Sequence, residues 1–228
     1  INESNSGFSG SAGTAVFCAE GRPQLFVDSR YHLQAEQTCG KQFDIQKLGN
    51  EGVDEPHKWI KGQTRNTLKV GADPFVMSPK LWRRYKIAIE KAGHTLVSVS
   101  PNMVDSVWSN RPSLPRNEIY PLPLKFTGKD SSAKLQDIRN ELKIIGSDED
   151  SNPDVLLLSM LDEIAWLTNL RGSDIEYNPV FEAYAAIFSD RAICFCHHPE
   201  ANLSQYCTDW DFRPYSEYQS FLTKLAAQ

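Results

Sequence analysis

Long apolar runs are absent from the sequence, since no stretch approaches the roughly 18 to 20 consecutive apolar residues that a membrane span requires. The first residues, 1–6, contain neither a basic nor an apolar region, so they lack the composition of a secretory signal. Cysteine is scarce as well: its five residues are an odd number in a chain too long to depend on disulfide bonds. We therefore expect a cytoplasmic protein with no membrane partner.

The composition is that of a globular protein of one or two domains. With 228 residues, of which 40% are hydrophobic, the chain can bury one large core or two smaller ones, and we favour two. Residues 1–127 carry 16 Lys and Arg against 12 Asp and Glu, whereas residues 128–228 carry 8 against 17. Opposite net charges favour contact between the halves or between subunits, which includes a homodimer, and neither half is basic enough to indicate nucleic-acid binding.

A proline-rich stretch indicates where the two domains meet. Residues 110–124 contain four prolines, which exclude a helix or a central strand. A capped helix is predicted just after it, over residues 129–146, so we place the boundary between residues 127 and 128. A second polar segment, residues 147–153, is expected to be an acidic solvated loop.

Strands and helices alternate in both halves, which predicts an α/β fold. The first half has β-rich runs at 13–19, 24–28, 68–72 and 95–100. Its helices are expected at 30–39 and from Ser78 to Gly93. In the second half, the predicted order is helix, buried strand (154–159), helix (161–170), strands (180–189 and 191–196) and a last helix (about 214–227).

The two halves contain an internal echo. Gly10 and Gly172 each open a turn that leads into two strands, but 41 residues (131–171) build a helix, a strand and a helix ahead of Gly172, whereas nine precede Gly10. If the halves are duplicates, roughly forty residues are missing from the front of the first, including a strand inside its sheet.

The segment from Cys194 to Cys207 offers candidate metal ligands, namely Cys194, Cys196, His197, His198 and Cys207. Two cysteines in a Cys-x-Cys pair on a strand lie about 7 Å apart on one face, which is too far for a single ion. We favour free cysteines that line a core face, with two loop histidines after them. A stand-alone zinc protein is the less favoured alternative.

Other candidate motifs have simpler explanations. The glycine-rich residues 7–13 precede a strand rather than a helix, so they indicate a tight turn more than a phosphate site. Asp162 and Glu163 lie in the first turn of a predicted helix, where acidic residues stabilise the dipole. His32, His57 and His94 are isolated along the chain, and we expect them at the surface or partly packed.

The densest polar cluster follows that helix. Residues 169–178, which we call the polar loop, contain the candidate site residues Asn169, Arg171, Asp174 and Asn178. Two interpretations are open: a hydrogen-bonded turn with a structural role, or a surface that faces a neighbouring domain or a substrate.

Several collinear motifs give the sequence a family resemblance. They comprise residues 161–167, 169–175 and 177–180, and upstream residues 6–16, 26–35, 70–74, 92–94, 102–105 and 108–112. Together they closely resemble the front part of three-domain, metal-dependent Xaa-Pro aminopeptidases. The acidic loop and the cysteine-rich segment after Arg191 depart from that pattern.

The resemblance implies two creatinase-N-like α/β domains of ribonuclease-H-like architecture, each a mixed sheet flanked by helices, with the first incomplete at its N-terminus. It also implies a "pita-bread" catalytic domain, absent here, that follows them and binds two divalent metal ions, usually manganese. That domain removes the N-terminal residue from peptides whose second residue is proline. No catalytic, cofactor or metal residue is therefore assigned to this chain.

On this resemblance, the chain shapes access to the active site and takes part in assembly. Its expected partners are its own C-terminal catalytic domain, short proline-containing peptides and a second copy. The polar loop would face the catalytic domain. The alternative is a catalytically inactive, aminopeptidase-like protein-binding module.

Overall fold

The computed structural model describes residues 7–63, 67–145, 154–198 and 203–227. It divides the chain into two compact units, Ile1–Pro112 (unit 1) and Ser113–Gln228 (unit 2). Both are mixed α/β units, as the sequence predicts. Within the described ranges, no helix combines the length and the apolar character needed to cross a bilayer. The last residue of the predicted helix at 129–146 and the whole of the predicted acidic loop at 147–153 lie outside these ranges.

Unit 1 contains five strands and four α-helices among its described residues. In chain order they are β1 (Thr14–Val16), β2 (Gln24–Val27), α1 (His32–Cys39), β3 (Asp44–Lys47), α2 (Pro56–Lys61), β4 (Lys69–Ala72), α3 (Pro79–Lys91), β5 (Thr95–Ser98) and α4 (Met103–Val107). A hairpin turn with Gly21 at φ +86° joins β1 to β2. Strand β2 pairs antiparallel with β1 and parallel with β3, and β4 pairs parallel with β5.

Two separate clusters form the core of unit 1. Alternate residues of β2 bury Leu25 and Val27 against α1, in a cluster with Phe8 and Phe43. On the other side of β2, Phe26 packs edge-on against Trp59. A second cluster surrounds Ile60, Ile89 and Leu96 of α2, α3 and β5.

Unit 2 is built on one four-stranded sheet. Its elements are β6 (Tyr120–Pro121), α5 (Leu124–Thr127), α6 (Ser131–Ile145), β7 (Val155–Leu158), α7 (Leu161–Thr168), β8 (Leu170–Arg171), β9 (Ala183–Phe188), β10 (Ala192–Cys196), β11 (Trp210–Pro214) and α8 (Tyr218–Leu225). The sheet order is β11-β10-β9-β7, with β10 and β11 parallel and the other pairs antiparallel.

Helices cover both faces of the unit 2 sheet. Alternate residues of β9 and β10 face a large cluster that contains Leu135 of α6 and Ile164 of α7. The intervening residues, such as Phe188 and Phe195, face Tyr218 and Phe221 of α8. Successive side chains of a strand point to opposite faces, and helices cover both faces of this sheet. Nearly every residue of these two strands is therefore buried.

Several predicted elements are confirmed with small shifts. Helix α3 is capped by the Ser78 side chain, whose Oγ accepts from Leu81 N at 3.2 Å, and it gives way to Gly93 at φ +79°. Helix α6 is preceded by Asp130, whose Oδ1 accepts from Ala133 N at 2.8 Å. Helix α7, however, ends at Thr168 rather than residue 170, because Asn169 adopts the left-handed conformation.

Other predictions were incomplete or wrong. Elements β3, α2, α4 and β11 are not predicted from the sequence, because they are short and lack a long apolar period. Strand β7 is only partly buried, and Leu157 is 41% exposed. His32 is partly buried as expected, but His57 and His94 are 6% and 7% exposed. Hydrogen bonds to Arg84 and to Leu68 N allow these two polar rings to be buried.

The boundary between the two compact units lies between Pro112 and Ser113, which is earlier in the chain than the boundary predicted at 127/128. Residues 113–127 group with unit 2 because β6 pairs with β8, and Leu122 N donates to Asn169 O at 2.8 Å. Proline content shows that a segment is extended, but it does not indicate which unit the segment packs on.

Candidate functional site

The polar loop begins where α7 ends. Asn169 lies at φ 58° and ψ 19°, a left-handed conformation that asparagine tolerates better than most residues. Its Nδ2 donates to Lys129 O at 2.9 Å, and its Oδ1 accepts from Lys134 Nζ at 2.7 Å. Asn169 therefore ties the end of α7 to the start of α6.

Lys134 is a buried cation beneath the start of the loop. It is 2% exposed, and its Nζ donates to Trp166 O at 2.8 Å as well as to Asn169. The ammonium also lies 4.5 Å from the centre of the Trp166 ring. Burial, followed by the nearby Arg171 charge, lowers the pKa of Lys134. Lys134 is not among the site residues predicted from the sequence, although its position next to Leu135 on the core side of α6 is a signal of burial.

Arg171 completes the end of α7. Its Nη1 donates to Ala165 O at 2.6 Å and to Leu170 O at 2.9 Å. Ala165 O is one of the last carbonyls of the helix, where a cation also favours the helix dipole. Arg171 thus holds the helix terminus and the strand β8 together.

Asp174 holds the middle of the loop. Its Oδ1 accepts from Asn117 N at 2.9 Å, and its Oδ2 accepts from Glu182 N at 2.8 Å. Just before it, Gly172 has no room for a side chain, because a Cβ there would lie 2.7 Å from Phe181 Cβ. One carboxylate therefore bridges the proline-rich segment and the start of β9.

The loop tip, residues 175–178, is a tight turn exposed to solvent. Asn178 N donates to Ile175 O at 3.0 Å, and Asn178 Nδ2 donates to Glu176 O at 3.1 Å. Tyr177 sits at φ 64° and is 94% exposed, while Ile175 is 41% exposed. A tyrosine at positive φ is uncommon, and strained residues of this kind are held by the structure around them. The tip presents one aliphatic and one aromatic side chain on a fixed base.

The two histidines that follow β10 make polar and aromatic contacts. His197 Nε2 is 3.1 Å from Glu182 Oε2, and the His197 ring stacks on Tyr215 with centroids 4.4 Å apart. His198 Nε2 lies 2.9 Å from Arg116 O. The two histidines after β10 therefore interact with unit 2 itself.

The predicted core face of cysteines is confirmed. Cys194 and Cys196 belong to the large cluster between the sheet and helices α6 and α7, and Cys207 donates to Thr168 O at 2.9 Å. Burial raises the pKa of Cys207 to about 12. In the part of the chain that the structure describes, no group of three or more His, Cys, Asp or Glu side chains could hold a metal ion.

The four site residues predicted from the sequence are thus not gathered into one pocket. Asn169, Arg171 and Asp174 use their polar groups within unit 2, as the interpretation of a hydrogen-bonded turn predicts, and Asn178 shapes the tip. The exposed apolar side chains of the loop are Ile175 and Tyr177, and these are available for contact with a neighbour. The interface role of the loop remains a prediction.

Comparison with known families gives two adjacent matches. The model of the creatinase/prolidase N-terminal domain matches residues 5–107, and a second model with the same description matches residues 110–228.

Curated relatives extend this likeness over most of the chain. A probable Xaa-Pro aminopeptidase P of Botryotinia fuckeliana is 42% identical over 205 residues, which cover 89% of this chain and 30% of that protein. Aminopeptidase P2 of Arabidopsis thaliana is 35% identical over 229 residues, which cover 98% of this chain and 31% of that protein. The chain therefore spans about a third or less of the length of these relatives.

A solved structure shows the same fold. The X-prolyl aminopeptidase from Caenorhabditis elegans, described as a cytosolic enzyme with a di-nuclear active site, superposes with a TM-score of 0.84 at 25% identity. The match covers 99% of this chain and 36% of that chain.

Proposed function

The chain belongs to the creatinase/prolidase N-terminal domain family, and we propose that it forms the non-catalytic front part of a metal-dependent Xaa-Pro aminopeptidase. The complete protein would remove the N-terminal residue from peptides with proline in second position. The observation that carries this proposal is the pair of adjacent N-terminal domain matches, together with relatives named Xaa-Pro aminopeptidase P that are about three times as long. The cytoplasm is the proposed compartment, in line with the cytosolic C. elegans enzyme.

The metal ions of the proposed enzyme do not fit this chain. The described residues do not bring three potential ligands together, and the candidate ligands from Cys194 to Cys207 are buried or hydrogen-bonded within unit 2. Two divalent ions, with manganese as the proposed identity, would belong to a separate catalytic domain. The fragment alone is expected to be inactive.

The contribution of the chain would be access and assembly. Unit 2 holds the polar loop with Asn169, Arg171 and Asp174, so the tip has a defined position. Such a fixed, exposed turn suits a contact that limits the size of an active-site entrance, because a mobile loop would lose conformational entropy on each contact. The catalytic domain and short proline-containing peptides are the proposed neighbours of the tip, and a homodimer is a further proposed assembly.

Hydrolysis of an Xaa-Pro peptide in the presence of manganese tests the proposed activity. The 228-residue chain and the complete gene product are assayed side by side. Cleavage by the complete product alone supports the proposal. A folded but inactive complete product contradicts it and favours the alternative, a catalytically inactive protein-binding module.

Variants of the loop test the access role in the complete protein. The double variant Ile175→Ser, Tyr177→Ser removes the exposed apolar groups of the tip, and we expect kcat/KM to fall several-fold with little change in Tm. The variant Tyr206→Ser is a matched control, since Tyr206 is a 50% exposed tyrosine of unit 2 outside the loop. Arg171→Ala is expected to lower both kcat/KM and stability, because it frees the Ala165 carbonyl. Unchanged kinetics in all loop variants would rule out the access role.

A further inference from the structure

Unit 1 contains a cavity of about 460 Å³. Thr14 of β1, several residues of the segment 48–58, and Leu81 and Tyr85 of α3 line it, so the whole lining belongs to unit 1. Its volume lies within the range of about 300 to 1,000 Å³ that is typical of small-molecule sites. The proposed peptidase activity and the polar loop make no use of this cavity.

The turn that forms one wall of the cavity has a defined conformation. Asn50 N donates to Lys47 O, and Val53 N donates to Asn50 O, each at 3.2 Å. Gly49 and Gly52 lie at φ +95° and +79°, in the region that favours glycine, so the chain can reverse tightly there. A wall that is already ordered reduces the entropy lost when a ligand binds.

A buried histidine and its partners form another part of the lining. His57 is 6% exposed, and its Nε2 accepts from Arg84 Nε at 3.3 Å. Arg84 Nη2 also donates to Glu55 Oε2 at 2.5 Å, and the His57 ring lies 5.6 Å from the Tyr85 ring between centroids. Because His57 and Glu55 already have partners in unit 1, other groups must recognise a ligand.

Four further side chains of the lining retain their hydrogen-bonding capacity. They are the hydroxyls of Thr14 and Tyr85, the carboxylate of Asp54 and the ammonium group of Lys58. Among the residues that the structure describes, none of these four side chains makes a hydrogen bond or an ion pair. Burial raises the pKa of Tyr85, so its hydroxyl keeps the proton that it can donate.

The charges of the lining restrict the class of ligand. Asp54 and Glu55 would repel a phosphate or another polyanion, and Lys58 alone would not compensate for both. A metal ion is not favoured either, because the described residues bring no three potential ligands together. A molecule with one amine and one carboxylate matches Asp54 and Lys58 together. The apolar side chains of the lining include Leu48, Val53 and Leu81.

We propose that this cavity binds a short zwitterionic peptide with aliphatic side chains, of about dipeptide size. The amine of the peptide pairs with Asp54, and its carboxylate pairs with Lys58 and accepts from the Tyr85 hydroxyl. The aliphatic side chains contact Leu48 and Val53. The site does not depend on the proposed peptidase function, because the bound peptide needs no proline and no bond in it is broken.

Calorimetric titration of the complete gene product with leucyl-leucine tests the site. This dipeptide carries both charges and two aliphatic side chains, and it lacks the proline that the proposed activity requires. We expect a dissociation constant of about 1 mM or below. Asp54→Asn and Lys58→Met should each weaken binding about tenfold, because each removes one charge partner. Lys61→Met, at an exposed lysine of α2 outside the cavity, is the matched control and should leave binding unchanged.

Capped dipeptides assign each charge of the ligand to its partner. N-acetyl-leucyl-leucine lacks the amine, so its binding should not respond to Asp54→Asn. Leucyl-leucine amide lacks the carboxylate, so its binding should not respond to Lys58→Met. Each capped dipeptide should bind the unaltered protein about tenfold more weakly than leucyl-leucine does.

Hydrogen exchange of the complete protein locates the binding. A ligand that binds the native state slows exchange in the segment that it contacts. We expect residues 48–58 to exchange about threefold more slowly with saturating leucyl-leucine, while exchange in unit 2 stays the same. Circular dichroism of the two variants confirms that they are folded, since both substitutions alter exposed side chains.

Three results would overturn the proposal. The first is a dissociation constant well above about 1 mM for leucyl-leucine. The second is binding that neither variant weakens and that leaves exchange of residues 48–58 unchanged, which would assign the dipeptide to another part of the protein. The third is equal affinity for the free and the capped dipeptides, which would show that the two charges are not recognised.

Discussion

Unit 1 and unit 2 pair their central strands in the same way but bury them to different extents. In unit 2, helices cover both faces of a continuous sheet, and Ile187, Phe195 and their neighbours are fully buried. In unit 1, the buried residues fall into two smaller clusters, and the strands β1 and β4 contain no fully buried residue. Since stability depends on apolar area removed from water, the same pairing pattern should be less stable in unit 1.

The two units also differ in which residue types adopt positive φ. Every described residue of unit 1 with positive φ is a glycine, whereas unit 2 places Asn169 and Tyr177 in that region. A non-glycine residue at positive φ costs free energy that the surroundings must supply, and in unit 2 hydrogen bonds from Lys134 to Asn169 and from Glu182 N to Asp174 hold the loop. The polar loop thus depends on the core beneath it, and substitutions can test each part of that dependence.

The largest expected effect comes from filling the close approach at Gly172. Gly172→Ala would place a Cβ 2.7 Å from Phe181 Cβ and 3.1 Å from Val180 O, on backbone and core that cannot move easily. We expect the free energy of unfolding of unit 2 to fall by about 3 kcal/mol. Native-state hydrogen exchange measures it, because it reports each unit separately.

Gly10→Ala is the matched variant in unit 1. The nearest atoms to the added Cβ would be those of the Phe8 ring, a side chain whose torsion angles can adjust, whereas the atoms nearest to Gly172 include backbone. We expect a loss of about 1 kcal/mol, confined to unit 1. Equal losses for the two variants would contradict the difference in packing that separates the units.

The next effect concerns the buried cation of unit 2. Lys134→Met removes the donor to Trp166 O and Asn169 Oδ1 and leaves both acceptors without it. We expect the free energy of unfolding to fall by about 2 kcal/mol, because unsatisfied buried acceptors outweigh the relief from burying a charge. Lys143→Met, on the exposed side of the same helix, is the control and should change stability little. A stabilised Lys134→Met variant would show that the charge itself is the liability.

The sequence predicted the parts of the fold that depend on local chemistry. Helix α3 could be placed because Ser78 caps it and Gly93 follows it, and the two buried strands of unit 2 could be placed because their apolar runs are long. Strands β3 and β11 were missed, because each is four or five residues long and mixed in polarity. Such strands form because a neighbouring strand offers hydrogen bonds, which a local pattern does not contain.

The candidate site could be predicted only in part for the same reason. The polar loop was found from its density of Asn, Arg and Asp, and the structure uses those side chains to hold the loop. Lys134 hydrogen-bonds to Asn169, which is 35 positions away in the chain, and Asn117 hydrogen-bonds to Asp174, which is 57 positions away. A local sequence pattern does not contain these contacts. Tyr177 is not predicted as a site residue, because a position occupied by tyrosine gives no sign in the sequence of a positive φ.

A smaller effect concerns pH and unit 1. Burial, followed by the Arg84 and Lys58 charges, lowers the pKa of His57 from its ordinary 6.5, while Glu55 and Asp54 oppose the shift. The unfolded chain therefore binds the proton more readily, and the stability of unit 1 should decrease as pH falls below about 6.5. We expect His57→Gln to reduce this decrease, measured by hydrogen exchange of unit 1 amides between pH 7.5 and 5.5. The same pH dependence in the variant would assign it to another group.

The smallest expected effect is a gain. Tyr177 is 94% exposed, so its side chain contributes little packing, but its φ of 64° is costly for any residue with a Cβ. Tyr177→Gly should therefore raise the stability of unit 2 by about 0.5 kcal/mol, since relief of strain outweighs the entropy of the unfolded glycine. Glu176→Gly, at the exposed neighbouring position without positive φ, is the control and should lower stability. If Tyr177→Gly raises Tm yet lowers kcat/KM of the complete protein, the strain in unit 2 is retained for the contact that Tyr177 makes. If it lowers Tm, the loop tip is held by the tyrosine itself, and the contrast between a strained unit 2 and a relaxed unit 1 does not hold.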